Sequence, residues 1–252
     1  MLVKNFKNNG NYMNYMNNNS VIMIRNAMLI YLLGTILLVI TFIGYVASYV
    51  INKPSYYVNL EGAFYVVIAF NSLLAIVVAV LEYIGFRRLS DLKVTYRLGA
   101  YGAVLQLVSL PFSIIGSIYY IQSLESAYKV SSIPGFTMQA LPVKATSSIY
   151  LSIAGSLINL IGWLLVLIIL YKLGSDYGNG IVKAGSLAVV AGLILAIGMI
   201  SYVPLTYGLY NNINITSALI LLTLLIIGGL IVFIGIVTLL IGLTSLAKVI
   251  NI

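Results

Sequence analysis

Five carboxylates, Glu61, Glu82, Asp91, Glu125 and Asp176, are the complete acidic inventory of this chain, which contains neither histidine nor cysteine. Haem held through His or Cys, iron–sulfur clusters, blue copper and ordinary zinc sites all draw on those two missing side chains. Ser-His-Asp and Cys-His catalysis are excluded on the same ground, and no disulfide can form. What remains is hard-ion chemistry at oxygen ligands, or a lone aspartate acting as a base. The closest two acids, Glu82 and Asp91, are nine residues apart, and Arg87, Arg88 and Lys172 stand beside Asp91 and Asp176. Solvated ion pairs are therefore expected at both aspartates. Glu82 is followed little more than a turn later by Arg87 and Arg88, which reads as an ion pair at the membrane interface. No enzyme, no metal and no cofactor of its own is the expectation. A lipid-modifying activity using Asp91 or Asp176 is the catalytic alternative.

The elements that would position these groups are almost wholly apolar. Charged residues make up 7% of the 252, against roughly 25% in soluble domains. Six apolar runs, near 27–50, 63–86, 98–121, 148–171, 181–207 and 214–249, each meet the roughly 20 residues a helix needs to cross hydrocarbon. They are apolar on nearly all sides, unlike the alternating strands of a membrane barrel. The predicted fold class is all-α, a polytopic membrane bundle of six transmembrane helices. Residues 1–22, with Asn8, Asn9, Asn11, Asn17, Asn18 and Asn19, are expected to form a disordered cytoplasmic segment. Residues 23–252 form the transmembrane domain.

Orientation follows from the bases. With the N-terminus inside, Lys4, Lys7, Arg25, Arg87, Arg88, Lys93, Arg97, Lys172, Lys183 and Lys248 lie on the inner side, and Lys53, Lys129 and Lys144 on the outer. That asymmetry predicts both termini in the cytoplasm, at the cell membrane. The net charge of +8 then suits anionic headgroups and does not call for nucleic acid. Tyr45, Tyr49, Tyr56, Tyr57 and Tyr65, then Tyr119, Tyr120, Tyr128 and Tyr150, then Tyr202, Tyr207 and Tyr210, flank the three outer loops as an interfacial belt. The outer loop 122–147 carries Pro134, Gly135 and Pro142, which favour turns. Asn214-Ile215-Thr216 is a possible glycosylation acceptor on the outside.

Within the bilayer, Asn71, Gln106 and Asn159 are expected to hydrogen-bond between helices, and Pro111 and Pro204 to kink theirs. Gly155 and Gly162, and Gly228, Gly235 and Gly242, recur at sevens, which returns nearly to one helical face and makes a smooth packing seam. Such seams suit helix packing within this chain or against another, and the one on the last helix is a candidate contact for a partner subunit. An offset of about 85 residues aligns Tyr65 with Tyr150, Ile76 with Ile161 and Arg87 with Lys172, the pattern of a parallel duplicated hairpin.

The stretch Tyr171-Lys172-Leu173-Gly174-Ser175-Asp176-Tyr177 running into Gly185, with the general Ile, Tyr, Ser and Gly bias, resembles uncharacterised multi-pass membrane proteins of thermoacidophilic archaea, a family of unknown function. The resemblance covers the C-terminal two-thirds. It implies a multi-pass helical fold and supplies no activity, cofactor or functional residue. The Asn-rich start departs from it. The leading functional expectation is a non-catalytic accessory or scaffold subunit that packs against lipids and against other membrane subunits or itself. The alternative is a small permease or channel for an uncharged or lipid-like solute.

Overall fold

The computed structural model describes residues 18–37, 40, 60–131, 143–209 and 215–250. Among these it is all-helical: α1 (Asn18–Leu37), α2 (Leu60–Ser90), a 3-10 turn (Val94–Tyr96), α3 (Arg97–Ser131), α4 (Val143–Asp176), α5 (Gly180–Leu209) and α6 (Ile215–Ile250). Five helices are long and apolar enough to cross a membrane. In α5 the side chains described, 180–195, make a shorter apolar stretch.

Two boundaries differ from the sequence reading. Residues 18–22, assigned above to the disordered segment, are helical and belong to α1, with Ser20 and Val21 buried. Gly85 of α2 explains why: a methyl group there would meet the Ser20 carbonyl oxygen at 3.0 Å and Ile24 at 2.6 Å, so the bare backbone lets this part of α1 lie close against α2. The expected loop 122–147 is also shorter. Helix α3 continues through Gln122 to Ser131 because no Pro or Gly interrupts it before Pro134, and α4 is under way at Val143. Residues 1–17, 132–142 and 210–214, which include Asn214, lie outside the described residues.

The helices pack as a sequence of neighbours. α2 lies on α3, α3 on α4, α4 on α5 and α5 on α6. α1 closes against α2 and α4, where Gly34 faces Leu74 and the Tyr31 ring tilts onto Trp163 at 4.7 Å between centroids. The reversal from α4 to α5 takes three residues. Gly178, at φ +65, supplies the left-handed residue that ends α4. The Asn179 N–H donates to the Gly174 carbonyl at 2.7 Å and the Gly178 N–H to Ser175 at 3.2 Å, the paired bonds of a Schellman ending. Asn179 then starts α5, its Oδ1 accepting from the Ile181 and Val182 N–H groups at 3.1 Å each, while its Nδ2 donates to the Gly242 carbonyl of α6 at 3.1 Å.

One end of the bundle gathers the bases. There α2 ends, α3 begins, α4 ends and α5 begins, joined by a Lys93–Asp176 contact at 2.9 Å. The start of α1 lies there beside Gly85, and the last turns of α6 beside Val182. Arg25, Arg87, Arg88, Lys93, Arg97, Lys172, Lys183 and Lys248 therefore lie toward the same end. Lys129 and Lys144 sit on the opposite ends of α3 and α4. Among the described residues the close-packed core also lies toward the basic end, through Ile24, Met28, Phe86, Leu89, Leu170, Leu173, Val182 and Leu243.

The seam glycines sit where these helices meet. Gly162 and Gly102 face each other's carbonyl oxygen, and Gly155 faces Phe112 and Ser113 of α3. Gly235 and Gly242 face Val189 and Val182 of α5, and the Gly228 carbonyl lies against Gly192 of α5. The face of α6 expected to meet a partner subunit is occupied by α5, because Gly185 and Gly192 on α5 supply the matching bare surface.

Candidate functional site

Beyond the packed core the bundle opens into a cavity of about 320 Å³ bounded by four helices. Helix α2 contributes Ile68, Asn71, Ser72, Ala75 and Val78, and α3 contributes Gln106, Ser109, Leu110, Ser113, Ile114 and Ser117. Asn159 and Trp163 of α4 and Tyr31 of α1 complete the wall. The spacing on α3, 106-109-110-113-114-117, is the three-and-four repeat of a single helical face. Eleven residues from Gln106 to Ser117 correspond to a depth of about 16 Å. The cavity thus runs from mid-bundle toward the end away from the basic residues.

The three membrane-depth amides expected to pair between helices all come to this cavity. Asn71 and Asn159 make no hydrogen bond among the described residues; they line the hollow instead. Gln106 is 6% exposed, and its Nε2 is buried without a hydrogen-bond partner. Its position depends on the glycine across from it, since a methyl group at Gly162 would stand 3.0 Å from both the Gln106 Cγ and N atoms. Ser109 donates from Oγ to the Gln106 carbonyl at 2.6 Å. Pro111, inside α3, has no N–H to give the Leu107 carbonyl, which loosens the ladder beside the cavity.

At the inner limit of the cavity, one turn beyond Val78, stands Glu82. It is 0% exposed, and neither carboxyl oxygen has a hydrogen-bond partner. The interfacial ion pair expected from sequence does not form: Arg87 and Arg88 are exposed, and no ion pair reaches Glu82 among the described residues. The reason is angular. Val78, Phe86 and Leu89 place the Glu82 face of α2 inward, whereas Arg87 and Arg88 lie on the outward side. Gln106 of α3 and Tyr31 of α1 are the polar groups within electrostatic reach of the carboxyl, and Gln106 approaches it without completing a bond of ordinary geometry. A buried acid without a cation is costly at membrane depth.

A second polar cluster lies at the basic end. Asp176 Oδ2 accepts from Lys93 Nζ at 2.9 Å and from the Tyr96 hydroxyl at 2.8 Å, with Lys172 Nζ 3.9 Å from Oδ1. Burial, reinforced by the Asp176 charge, raises the Tyr177 hydroxyl above the ordinary tyrosine value. Asp91 is exposed and takes no part. Among the described residues no three carboxylates gather. This cluster ties the α2–α3 connection to the α4–α5 turn; its acid is already occupied by cations of the chain itself.

A family model described as "Protein of unknown function (DUF973)" matches residues 17–214. The chain belongs to this family. The match takes in α1 to α5, so the likeness begins well before the C-terminal two-thirds on which it was read, and the whole cavity lies within it. No curated protein and no solved structure matches the chain.

Sequence reasoning named Asn71, Gln106 and Asn159 but not Tyr31, Trp163 or the serines of α3. The serine stripe was legible as a polar face on an otherwise apolar helix. A single Tyr and a single Trp in apolar runs carry no such signal, since both types occur routinely in helix cores.

Proposed function

We propose that the protein is a non-catalytic permease of the cell membrane, with six transmembrane helices and both termini cytoplasmic, whose inter-helical cavity binds a small uncharged polar solute. The observation that carries this reading is the cavity: amides from three helices, Asn71, Gln106 and Asn159, line one hollow at membrane depth, with the Gln106 Nε2 buried and unpartnered. Its size falls at the small end of ligand pockets, roughly 300–1,000 Å³, which suits solutes of a few heavy atoms. The gathering of bases at one bundle end supports the orientation through the positive-inside rule. The length of α5, 30 residues by its backbone, supports a sixth span. The glycine faces, one of the motives for a scaffold role, pack against helices of the same chain. The test is osmotic swelling of proteoliposomes challenged with urea, acetamide and glycerol. Swelling should exceed that of protein-free vesicles for at least one solute. Ala75→Phe, which fills the cavity from α2, should abolish the excess. Equal rates in the Ala75→Phe and unaltered proteins would refute the reading.

A further inference from the structure

The position of Gln106 between Glu82 and the cavity has a chemical consequence. A primary amide offers donors from nitrogen and acceptor sites from oxygen, so a group that binds one end decides which end is turned elsewhere. We infer that Glu82 and Gln106 form a proton-linked relay, in which protonation of Glu82 determines whether Gln106 offers the cavity a donor or an acceptor. This rests on the proposed solute-binding role of the cavity and adds its regulation. With Glu82 ionised, the Gln106 Nε2 donates to the carboxylate and Oε1 is left for the cavity. With Glu82 protonated, its O–H donates to Oε1 and the Nε2 hydrogens turn to the cavity. The proton comes from water entering the polar side of the cavity, rests on a carboxyl oxygen and returns by the same route; no other bond breaks.

Three observations converge on this pair. Both Glu82 oxygens and Gln106 Nε2 are buried and unpartnered, so an acceptor and a donor stand near one another with their bonds unmade. Gln106 lines the cavity whereas Glu82 does not, so the amide gives a solute a route to the acid. No charge competes. Tyr31 is the titratable group that faces the acid from α1, and Arg25 of α1 is turned to the Asn26 side chain at 2.9 Å. Arg87 and Arg88 on α2 are exposed, α3 presents the neutral Gln106, and the charges described on α4, Lys172 and Asp176, lie at its basic end.

The prediction has a sign. A neutral solute that only accepts hydrogen bonds, such as N,N-dimethylacetamide, should bind better when Glu82 is protonated. Trp163 is the sole tryptophan of the chain and lines the cavity, so its fluorescence reports occupancy in the full-length protein in lipid nanodiscs. Titration between roughly pH 4 and pH 9, a range spanning ordinary and perturbed carboxyl groups, should show tighter binding at the acid end, by about 5-fold or more if the coupling is of common size. Glu82→Gln, isosteric and permanently neutral, should make the affinity independent of pH. Gln106→Leu should do the same. A flat or inverted profile in the unaltered protein, or a pH dependence that survives Glu82→Gln, overturns the relay. Should the probe leave Trp163 unchanged at every pH, solute binding itself fails, and the relay is then judged on solute-free protein by infrared titration. The carboxyl band lost in Glu82→Gln should shift in Gln106→Leu if the relay exists; an unshifted band overturns it.

Discussion

The contact that fixes the cavity wall is the crossing of α3 and α4 at Gly102 and Gly162, and one methyl group is enough to test it. A Cβ at Gly162 would lie 2.7 Å from the Gly102 carbonyl oxygen and 3.0 Å from the Gln106 backbone nitrogen. Carbon–oxygen contacts between helices settle at about 3.3 Å, so the helices must part by about 0.6 Å. The atoms in the way belong to backbone and cannot rotate aside. Overpacking of this kind costs about 3 kcal/mol at the upper end of its range, and the better helix propensity of alanine returns about 1 kcal/mol. Gly162→Ala should therefore be destabilised by about 2 kcal/mol. Gly229 provides the control, because nothing lies within 4 Å of a Cβ placed there. Gly229→Ala should gain up to about 1 kcal/mol from propensity alone, leaving the two variants about 3 kcal/mol apart. Reversible unfolding in mixed micelles, extrapolated linearly to zero denaturant, measures both. The reasoning fails if the two substitutions shift stability equally, or if Gly162→Ala leaves Trp163 fluorescence as it was.

Three further outcomes are expected. Glu82→Met, which takes away the acid to which the Gln106 amide turns and leaves that amide buried without a partner, should cost about 1–3 kcal/mol, read in the same unfolding assay; a gain in stability would mean that the two groups do not bond. Asp176→Asn keeps the Tyr96 contact and weakens two partly exposed ion pairs, so the cost should stay below about 1 kcal/mol and should shrink further in high salt. Because the chain has no cysteine, single replacements at Ser90 and Ser132 should react with an impermeant thiol reagent from opposite faces of the membrane, and reaction of both in intact cells would overturn the orientation.

Much of the helical architecture was legible because it rests on composition: runs this apolar and this long satisfy their backbone only as helices. The ends of those helices were less legible, since residues 18–22 are helical where Ser20 rests on Gly85, a partner some 65 residues away. Gly155 and Gly162 were visible at their spacing of seven, but spacing says that a face is smooth and not which helix meets it. For that reason the seam on α6 pointed to an outside partner when α5 carries its complement. Glu82 was misread for a similar cause. Sequence proximity to Arg87 and Arg88 suggested pairing, whereas five and six residues along a helix turn the side chains to different faces. The polar cavity needed the fold, because Asn71, Gln106 and Asn159 come from three separate helices.

The uneven filling of the bundle has a mechanical side. Closely packed interiors hardly compress, and a void is where pressure or tension can change volume. The half built on Ile24, Phe86, Leu170 and Leu243 therefore behaves as a stiff footing, held across its loops by Lys93 and Asp176. The half that contains the cavity is the compliant one. If the cavity takes a solute as proposed, a change in bilayer thickness or lateral tension would be taken up in the space between Asn71, Ser117 and Asn159, and the volume open to that solute would vary with the surrounding membrane.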